Sequence, residues 1–327
     1  MPGFTTHYIL GVKSYNDLPN TPLKHIIAKY RWLYQLGLQG PDIFFYNIPI
    51  LRHRDYRNIG SYMHEHHIRG FFECYLRRLA AIPSRQQREE GLSYFCGWLC
   101  HYIGDSICHP YVYGRTGYDA ASPSMQAYGR HAALENDIDA LLLYHYKKKK
   151  PSQFNQAATI CLNGMETQFI SRFLADCINE TYYPITYANN FQVTPAMVHR
   201  SIFAIRFGGR ILADPSGRKS GGIALFENIF IGSHIASTKL VTDKIHDPRS
   251  ALNLDHKTWC NPWNRRLASQ DSFPDLFRRS LQKCSSVYGI LNAMLPDPSR
   301  DPNSIQLARL LDELGSCSYH SGLHVPD

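Results

Sequence analysis

The sequence lacks any run of about 18 consecutive apolar residues, so no segment is long enough to cross a bilayer as a helix. Its first residues, MPGFTTHYILGVKSYND, contain no basic stretch followed by an apolar one, and we expect no secretory signal peptide. The nine cysteines are scattered and form no CxxC pair, which argues against both a disulfide framework and a thiolate zinc module. We therefore predict a cytoplasmic protein with reduced thiols.

Acidic residues are outnumbered by basic ones. The chain has 35 Lys and Arg against 27 Asp and Glu, a formal net charge of +8 with neutral histidines. Such a balance favours polyanions, and it leaves an anionic lipid surface and nucleic acid both open as partners. The run KKKK at 147–150 is more typical of a solvated helix end than of a lipid-binding site.

Alternating, strand-like patterns are also few, whereas apolar residues recur at spacings of three and four along nearly the whole chain. We predict an all-α protein, a bundle of many helices. The predicted helices cover residues 22–37, 57–81, 84–109, 124–147, 153–180, 195–212, 224–241, 272–294 and 303–314.

The chemistry is predicted to lie in the first half of the chain, because ten of the sixteen histidines fall within the first 145 residues. We expect a metal-binding helical core over 1–150 and a helical continuation over 151–327 that packs on it in the same domain. The later histidines, His320 among them, are isolated and are interpreted as structural, and Trp259 and Trp263 as packing residues.

The segment HYIGDSICHP at 101–110 places three potential metal ligands four residues apart on one predicted helix. His101, Asp105 and His109 therefore lie in one slowly turning line. An apolar stripe centred on Ile103 occupies the opposite side, while aromatic and small residues continue the ligand line backwards. A helix buried on both sides must supply partners for its imidazoles and carboxylate, so a metal site explains the line better than a solvated face. Pro110 is predicted to end the helix, with a loop after it.

A second pair of candidate ligands follows in HAALE, where His131 and Glu135 are again four residues apart. One HxxxE pair is a weak signal. After HxxxDxxxH, however, it suggests that two helices share a site of nitrogen and oxygen ligands, which suits zinc. Asp139 lies on the same line, where a solvated helix face is the preferred interpretation and support of a metal ligand the alternative.

Spacing alone says less about the candidates nearer the N-terminus. In SYMHEHH, His64 and His67 share a side of the predicted helix while His66 points away, so at most two of them serve one site. The spacing also differs from the HExxH of metalloproteases. His7 lies at a predicted helix start, after two hydroxyl residues. Asp42 lies in a turn, where a capping role is the simpler interpretation.

Taken together, these segments resemble the zinc-dependent phospholipase C family, which also contains the N-terminal domain of glycosylphosphatidylinositol-specific phospholipase D. The matching segments are, in order, GFTTHYILG, QGPDIFFY, IGSYMHEHH, CHYIGDSICHPYVYG and GRHAALENDID. A later stretch, LNLDHKTWCNPWNRR, is similar to uncharacterised bacterial relatives. The resemblance implies a helical domain that holds a cluster of three zinc ions.

Carried over residue by residue, the resemblance implies three sets of ligands. They are Asp42, His64, His101 and Asp105 for one ion, His109, His131 and Glu135 for a second, and His7 with Asp105 for the third. In secreted members the third ion is also held by the amino group and carbonyl of an N-terminal tryptophan, which this sequence does not have. We therefore expect two or three zinc ions, with Pro2 as a candidate amine ligand if Met1 is removed.

The resemblance also implies an activity. In the family the carboxylate that matches Asp42 is a metal ligand and the proposed base, so Asp42 is the predicted catalytic residue. We expect C-type hydrolysis of a phospholipid, which gives a diacylglycerol and a phosphorylated head group, with the D-type cut as an alternative. The sequence also leaves open a nuclease-like phosphodiesterase and a non-catalytic zinc-binding protein. The predicted partner is a phospholipid or another phosphodiester, with peripheral contact to an anionic membrane as a further expectation and nucleic acid disfavoured.

Overall fold

A computed structural model describes residues 3–46, 58–188, 192–211, 243, 245, 247–295 and 305–326. Helices make up nearly all of the regular structure in these ranges, which confirms the predicted all-α class. The helices are α1 (Phe4–Asp17), α2 (Pro22–Lys29), α3 (Arg31–Gly37), α4 (Ile59–Met63), α5 (Ile68–Ala80), α6 (Arg85–Arg115), α7 (Met125–Lys147), α8 (Gly164–Ala188), α9 (Pro195–Ile211), α10 (Pro248–Leu252), α11 (Phe273–Met294) and α12 (Ile305–Leu314). A 3₁₀ helix spans Gly40–Tyr46, and strands β1 (Trp259–Asn261) and β2 (Asn264–Ser269) pair as an antiparallel hairpin.

The long helix α6 is the centre of the fold. Helices α1, α2, α3 and α11 and strand β1 all pack against it, and its buried residues lie on every side. At the crossing with α3, a Cβ on Gly37 would lie 2.1 Å from the carbonyl oxygen of Tyr94, and a Cβ on Gly97 would lie 2.1 Å from that of Tyr34. The two glycines therefore let the helix backbones touch, a closer approach than any side chain would permit.

Helix α6 does not end at Pro110 as predicted, but continues to Arg115. A proline inside a helix removes the N–H that would bond to the carbonyl of Ser106, at a cost of about 3 kcal/mol. Tyr111 and Val112 directly after the proline are both 0% exposed, and their burial offsets that cost. The predicted loop therefore begins only after Arg115.

Two of the predicted helices are each divided in the structure. The segment predicted over 22–37 forms α2 and α3, separated at Tyr30, whose φ of −112° is not helical. The segment predicted over 57–81 forms α4 and α5, separated before His67, whose φ of 50° is left-handed. The histidines of HEHH therefore do not share one helical surface.

Of the other predicted helices, some match the observed helix bounds and others do not. Those over 124–147, 195–212, 272–294 and 303–314 match α7, α9, α11 and α12. The helix predicted from residue 153 begins only at Gly164, because two short 3₁₀ turns occupy residues 151–159. The helix predicted over 224–241 lies outside the described residues. The lysine run begins at Lys147, the last residue of α7, and is exposed, as predicted for a solvated helix end.

Residues after 150 contact the core at several points. Helix α11 packs against α6 and α1, and the Tyr288 hydroxyl donates a hydrogen bond to the carbonyl of Cys96 at 2.8 Å. The Trp98 indole donates to the hydroxyl of Tyr319 at 3.0 Å. These contacts support the expectation that the chain after 150 continues the same domain, and we keep that as a proposal.

All nine cysteines are free thiols. Among the helices described here, none combines the length and the apolar character that a membrane-spanning segment requires.

Candidate metal centre

The structure contains three neighbouring groups of mostly buried side chains. Within each group, the potential ligand atoms lie within 4.8 Å of one another. The groups are Asp42, His64 and His101, then His7, His101 and Asp105, and then His109, His131 and Glu135. The eight histidine and carboxylate residues predicted as metal ligands all belong to these groups, whereas Pro2, the candidate amine ligand, lies outside the described residues. Four elements, α1, the 3₁₀ helix, α6 and α7, and the residue that follows α4 contribute side chains to them.

Asp105 joins the first two groups because its two carboxylate oxygens face different histidines. Its Oδ2 lies 3.1 Å from Nε2 of His101 and 3.9 Å from Nε2 of His64, while its Oδ1 lies 3.0 Å from Nε2 of His7. Asp42 Oδ1 lies 3.2 Å from Nε2 of His64. These atoms are close but not aligned as hydrogen bonds, and none has a hydrogen-bond partner in the described part of the chain. Buried polar atoms that converge in this way fit a shared cation.

Three of the histidines use their other ring nitrogen to bind a backbone carbonyl. The pairs are His64 with Gly60 at 2.6 Å, His101 with Leu38 at 3.1 Å and His109 with Tyr319 at 2.7 Å. Because a carbonyl can only accept, Nδ1 carries the hydrogen in each neutral ring, and Nε2 keeps a lone pair. All three imidazoles are therefore fixed in the tautomer that binds a metal through Nε2.

The third group joins α6 to α7. Nε2 of His131 lies 2.6 Å from Oε1 of Glu135 one turn later, and Nε2 of His109 lies 3.6 Å from the same oxygen. The ring of Tyr113 lies 4.2 Å from that of His131, measured between ring centroids, and forms one wall of this group.

The pKa shifts favour the protonation states that bind metals. Burial lowers the pKa of His131, which keeps the imidazole neutral. Burial opposes ionisation of Glu135 and Asp105, but neighbouring groups outweigh it and lower both pKa values. For Glu135 the first of these neighbours is His131, and for Asp105 they are His101 and His7. The centre therefore combines ionised carboxylates with imidazole nitrogens, a donor set that suits zinc.

Comparison with known proteins agrees with this geometry. A family model described as zinc dependent phospholipase C matches residues 6–185, more than half of the 327 residues, and the matched span includes all three groups. The chain belongs to the zinc-dependent phospholipase C family. The resemblance predicted from the sequence is therefore confirmed. No curated protein and no solved structure matches the chain.

In this member of the zinc-dependent phospholipase C family, Gly40 lets the start of the 3₁₀ helix that carries Asp42 lie directly against the ring of His101. Gly40 begins the 3₁₀ helix with a left-handed φ of 47°, and a Cβ there would lie 2.3 Å from Cδ2 of His101. Both the backbone conformation and the missing side chain are required. Near the end of the same 3₁₀ helix, burial and the charge of Asp42 raise the pKa of Tyr46.

Asp139 fixes the start of α1 and with it the position of His7. Its carboxylate accepts hydrogen bonds from the Thr5 N–H at 3.0 Å, the Thr6 N–H at 2.9 Å and the Thr6 hydroxyl at 2.6 Å. The preferred interpretation of Asp139 as part of a solvated face is therefore wrong, because the residue is buried. Burial raises its pKa to about 6 despite the three hydrogen bonds.

The C-terminal segment contributes residues that the sequence analysis missed. The Tyr319 N–H donates to the carbonyl of His64 at 2.9 Å, and its own carbonyl binds His109, so it connects two of the groups. The ring of His320 stacks on that of His64 at 4.9 Å, and its Nδ1 lies 3.1 Å from Oε1 of Glu65. The interpretation of His320 as isolated is therefore wrong. A separation of 255 residues between His320 and Glu65 leaves no local signal to find this contact.

The remaining histidines of HEHH lie outside the three groups. His66 stacks on Tyr62 at 3.9 Å, and the ring of His67 lies 6.1 Å from that of Tyr182. Of this motif only His64 joins the centre, in agreement with the prediction that at most two of its histidines serve one site.

An aromatic row leads outward from the third group. Tyr113, which contacts His131, lies 4.9 Å from Trp263, and Trp263 lies 5.3 Å from Tyr118. Tyr118 in turn lies 5.8 Å from Tyr128, which is 44% exposed. The aromatic row, defined as Tyr113, Trp263, Tyr118 and Tyr128, connects the metal centre to the surface. Trp259, predicted to be a packing residue, is buried and packs against Tyr111.

Proposed function

We propose that this chain is a zinc-dependent phosphodiesterase that hydrolyses phospholipids at the C-type position. The observation that carries the proposal is the sharing of ligands: His101 belongs to two of the three groups, and Oδ2 of Asp105 in one of them lies 3.9 Å from Nε2 of His64 in the other, so the cation positions are neighbours. When bound there, zinc ions would supply positive charge for the phosphate oxygens and lower the pKa of an attacking water. The predicted cytoplasmic location stays a prediction.

We propose Asp42 as both ligand and general base. Its Oδ1 is buried, faces Nε2 of His64, and has no hydrogen-bond partner within the described ranges. Water attacks phosphorus, the bond from phosphorus to the diacylglycerol oxygen breaks, and Asp42 takes the proton of the water. This proton balances the one that the departing diacylglycerol oxygen gains.

The substrate is tested by product analysis with the zinc-loaded protein. We expect phosphatidylcholine to give diacylglycerol and phosphocholine. Phosphatidic acid and choline would instead establish the D-type cut, and cleavage of single-stranded DNA without lipid hydrolysis would establish a nuclease. Full zinc content with no turnover of lipid, DNA or a soluble chromogenic phosphodiester would favour a non-catalytic zinc-binding protein.

The role of Asp42 is tested by Asp42→Asn, which keeps an oxygen ligand but removes the base. We expect most of the zinc to remain and the turnover of a soluble phosphodiester to fall by about 10²-fold or more. Asp17→Asn, at the exposed end of α1, is the matched control and should leave both quantities unchanged. A fully active Asp42→Asn protein would remove this assignment.

A further inference from the structure

Strand β2 carries an exposed bulge. Cys260 pairs with Ala268, while the next residue, Asn261, pairs with Asn264. The three residues between these partners, Arg265, Arg266 and Leu267, therefore have no counterpart on β1 and lie on the surface, with Leu267 49% exposed. We call them the docking bulge. A bulge of this kind projects side chains away from the ladder.

The hairpin that carries the bulge is firmly held. A Cβ on Gly114 would lie 2.4 Å from the carbonyl of Cys260, so β1 packs directly on the backbone of α6. The Asn261 side chain donates to the carbonyl of Ser321 at 2.8 Å, and the Trp259 indole donates to that of Asp271 at 3.0 Å. The docking bulge is thus presented by a fixed support.

The charge of the docking bulge is not neutralised locally. Neither Arg265 nor Arg266 forms an ion pair in the part of the chain that the structure describes, and the acidic residues of the same region are already paired. Asp255 binds Arg249, Asp271 binds Arg279, and Asp275 binds Arg278. Two free guanidinium groups beside an exposed leucine suit a surface that is anionic outside and apolar beneath.

The turn that leads into the docking bulge contacts the aromatic row. Trp263, in the turn that precedes β2, contacts Tyr113 and Tyr118 of the aromatic row. The row ends at the exposed Tyr128, and Arg130, two residues further along α7, is also exposed and binds only the carbonyls of Thr116 and Gly117 among the described residues. Aromatic and cationic side chains together are typical of residues at the level of lipid head groups.

We propose that the docking bulge, together with Tyr128 and Arg130, seats the protein on an anionic phospholipid bilayer, so that lipid reaches the metal centre along the aromatic row. The passage of lipid to the centre rests on the proposed function, whereas the seating on the bilayer does not. A bilayer is favoured over single-stranded nucleic acid because Leu267 is exposed, while Trp263 and Tyr118 pack on each other and not on an open stacking surface.

The lysine run provides a matched control. It starts at Lys147, the last residue of α7, about 18 Å along the helix from Glu135 at 1.5 Å per residue, and therefore lies away from the aromatic row. Lys149→Gln/Lys150→Gln removes the same charge from an exposed surface as Arg265→Gln/Arg266→Gln.

The test is co-sedimentation of the zinc-loaded full chain with vesicles of phosphatidylcholine and phosphatidylserine, and with vesicles of phosphatidylcholine alone. We expect tighter binding to the anionic vesicles. Because each arginine near such a surface changes partitioning about fivefold, Arg265→Gln/Arg266→Gln should bind about 25-fold more weakly, and the lysine control less than about twofold. Leu267→Ser should weaken binding to both kinds of vesicle. Zinc content and the unfolding temperature establish that each variant is folded.

The proposal is overturned if the arginine variant binds the anionic vesicles as tightly as the unaltered chain does. It is equally overturned if the lysine control loses as much affinity for them as the arginine variant. It is also overturned if the chain binds single-stranded DNA through these arginines and does not bind vesicles. Vesicle binding that depends on the arginines, without turnover of any phosphodiester, would contradict the proposed function but support the docking surface. Turnover of a soluble phosphodiester, together with vesicle binding that does not depend on the arginines, would support the proposed function but contradict the docking surface.

Discussion

Replacement of Asp139 is expected to separate the start of α1 from α7 and so to disturb a ligand that Asp139 does not touch. The carboxylate accepts three hydrogen bonds from Thr5 and Thr6, the residues that directly precede His7. Since Gly3 at the N-cap of α1 has no side chain to accept from these groups, Asp139 provides the tertiary equivalent of a helix cap.

The magnitude follows from the groups that each variant leaves without a partner. Asp139→Ala removes the acceptor of two buried N–H groups and one hydroxyl, and we expect a loss of about 3 kcal/mol in the free energy of unfolding at neutral pH. Asp139→Asn retains one carbonyl oxygen, so the expected loss is about 1 kcal/mol or less. The alanine variant should also lose zinc from the position served by His7.

The pH dependence has a definite sign. Burial raises the pKa of Asp139 from the usual 3.8 to about 6. The folded protein therefore binds more protons at this group than the unfolded chain between these values, and its contribution to stability increases as the pH falls through about 6. From pH 7 to pH 5 this gain is about 1 kcal/mol, and Asp139→Asn lacks it.

Urea unfolding of the zinc-free protein, followed by circular dichroism at pH 7 and pH 5, measures both effects. The comparison between the unaltered chain and Asp139→Asn cancels the titration of the histidines, and Asp17→Ala serves as an exposed control. If the free energy of unfolding of Asp139→Ala lies within about 0.5 kcal/mol of that of the unaltered chain, Asp139 does not cap α1. If the free energies of unfolding of the unaltered chain and Asp139→Asn differ by the same amount at pH 7 and pH 5, the pKa of Asp139 is not raised by folding.

Two further predictions concern zinc stoichiometry, measured by mass spectrometry of the purified protein. Asp105→Ala should deplete both positions that its two oxygens face, whereas His131→Ala should deplete only one, and equal losses in the two variants would contradict the sharing of Asp105. Gly40→Ala combines a left-handed φ with a Cβ 2.3 Å from the His101 ring, and should destabilise the protein by about 1–2 kcal/mol and lower its zinc content. Unchanged zinc content and stability in Gly40→Ala would show that the backbone there has another conformation.

The parts of the fold that the sequence predicts well are those that depend on short spacings. The four-residue repeat of His101, Asp105 and His109 is a property of one helix, and the structure indeed directs these side chains to one centre. The pairing of His131 with Glu135 follows from the same spacing on α7. Their role as ligands stays a prediction, since convergence alone does not bind an ion.

Other features depend on contacts that no local pattern contains. Pro110 predicts a helix end, but burial of the residues after it sustains α6. Asp139 looks solvated on its own helix, and only the docking of α1 shows otherwise. His67 has an ordinary helical neighbourhood in the sequence, yet it adopts a left-handed conformation that divides the predicted helix. In each case tertiary packing outweighs the local preference.

The centre extends beyond the part of the chain that the family model covers. The matched span ends at residue 185, whereas Tyr319 binds both the carbonyl of His64 and the imidazole of His109, and His320 stacks on His64. Trp263 likewise forms part of the aromatic row. The proposed metal ligands therefore lie in the segment that the family model matches, whereas Tyr319 and His320, which contact two of them, come from the chain after it. Of the four residues of the aromatic row, only Trp263 lies after residue 185. Differences in substrate preference among members are accordingly expected to arise in part from residues such as His320 and Trp263, which contact a proposed ligand or its aromatic neighbour and lie outside the segment that the family model matches.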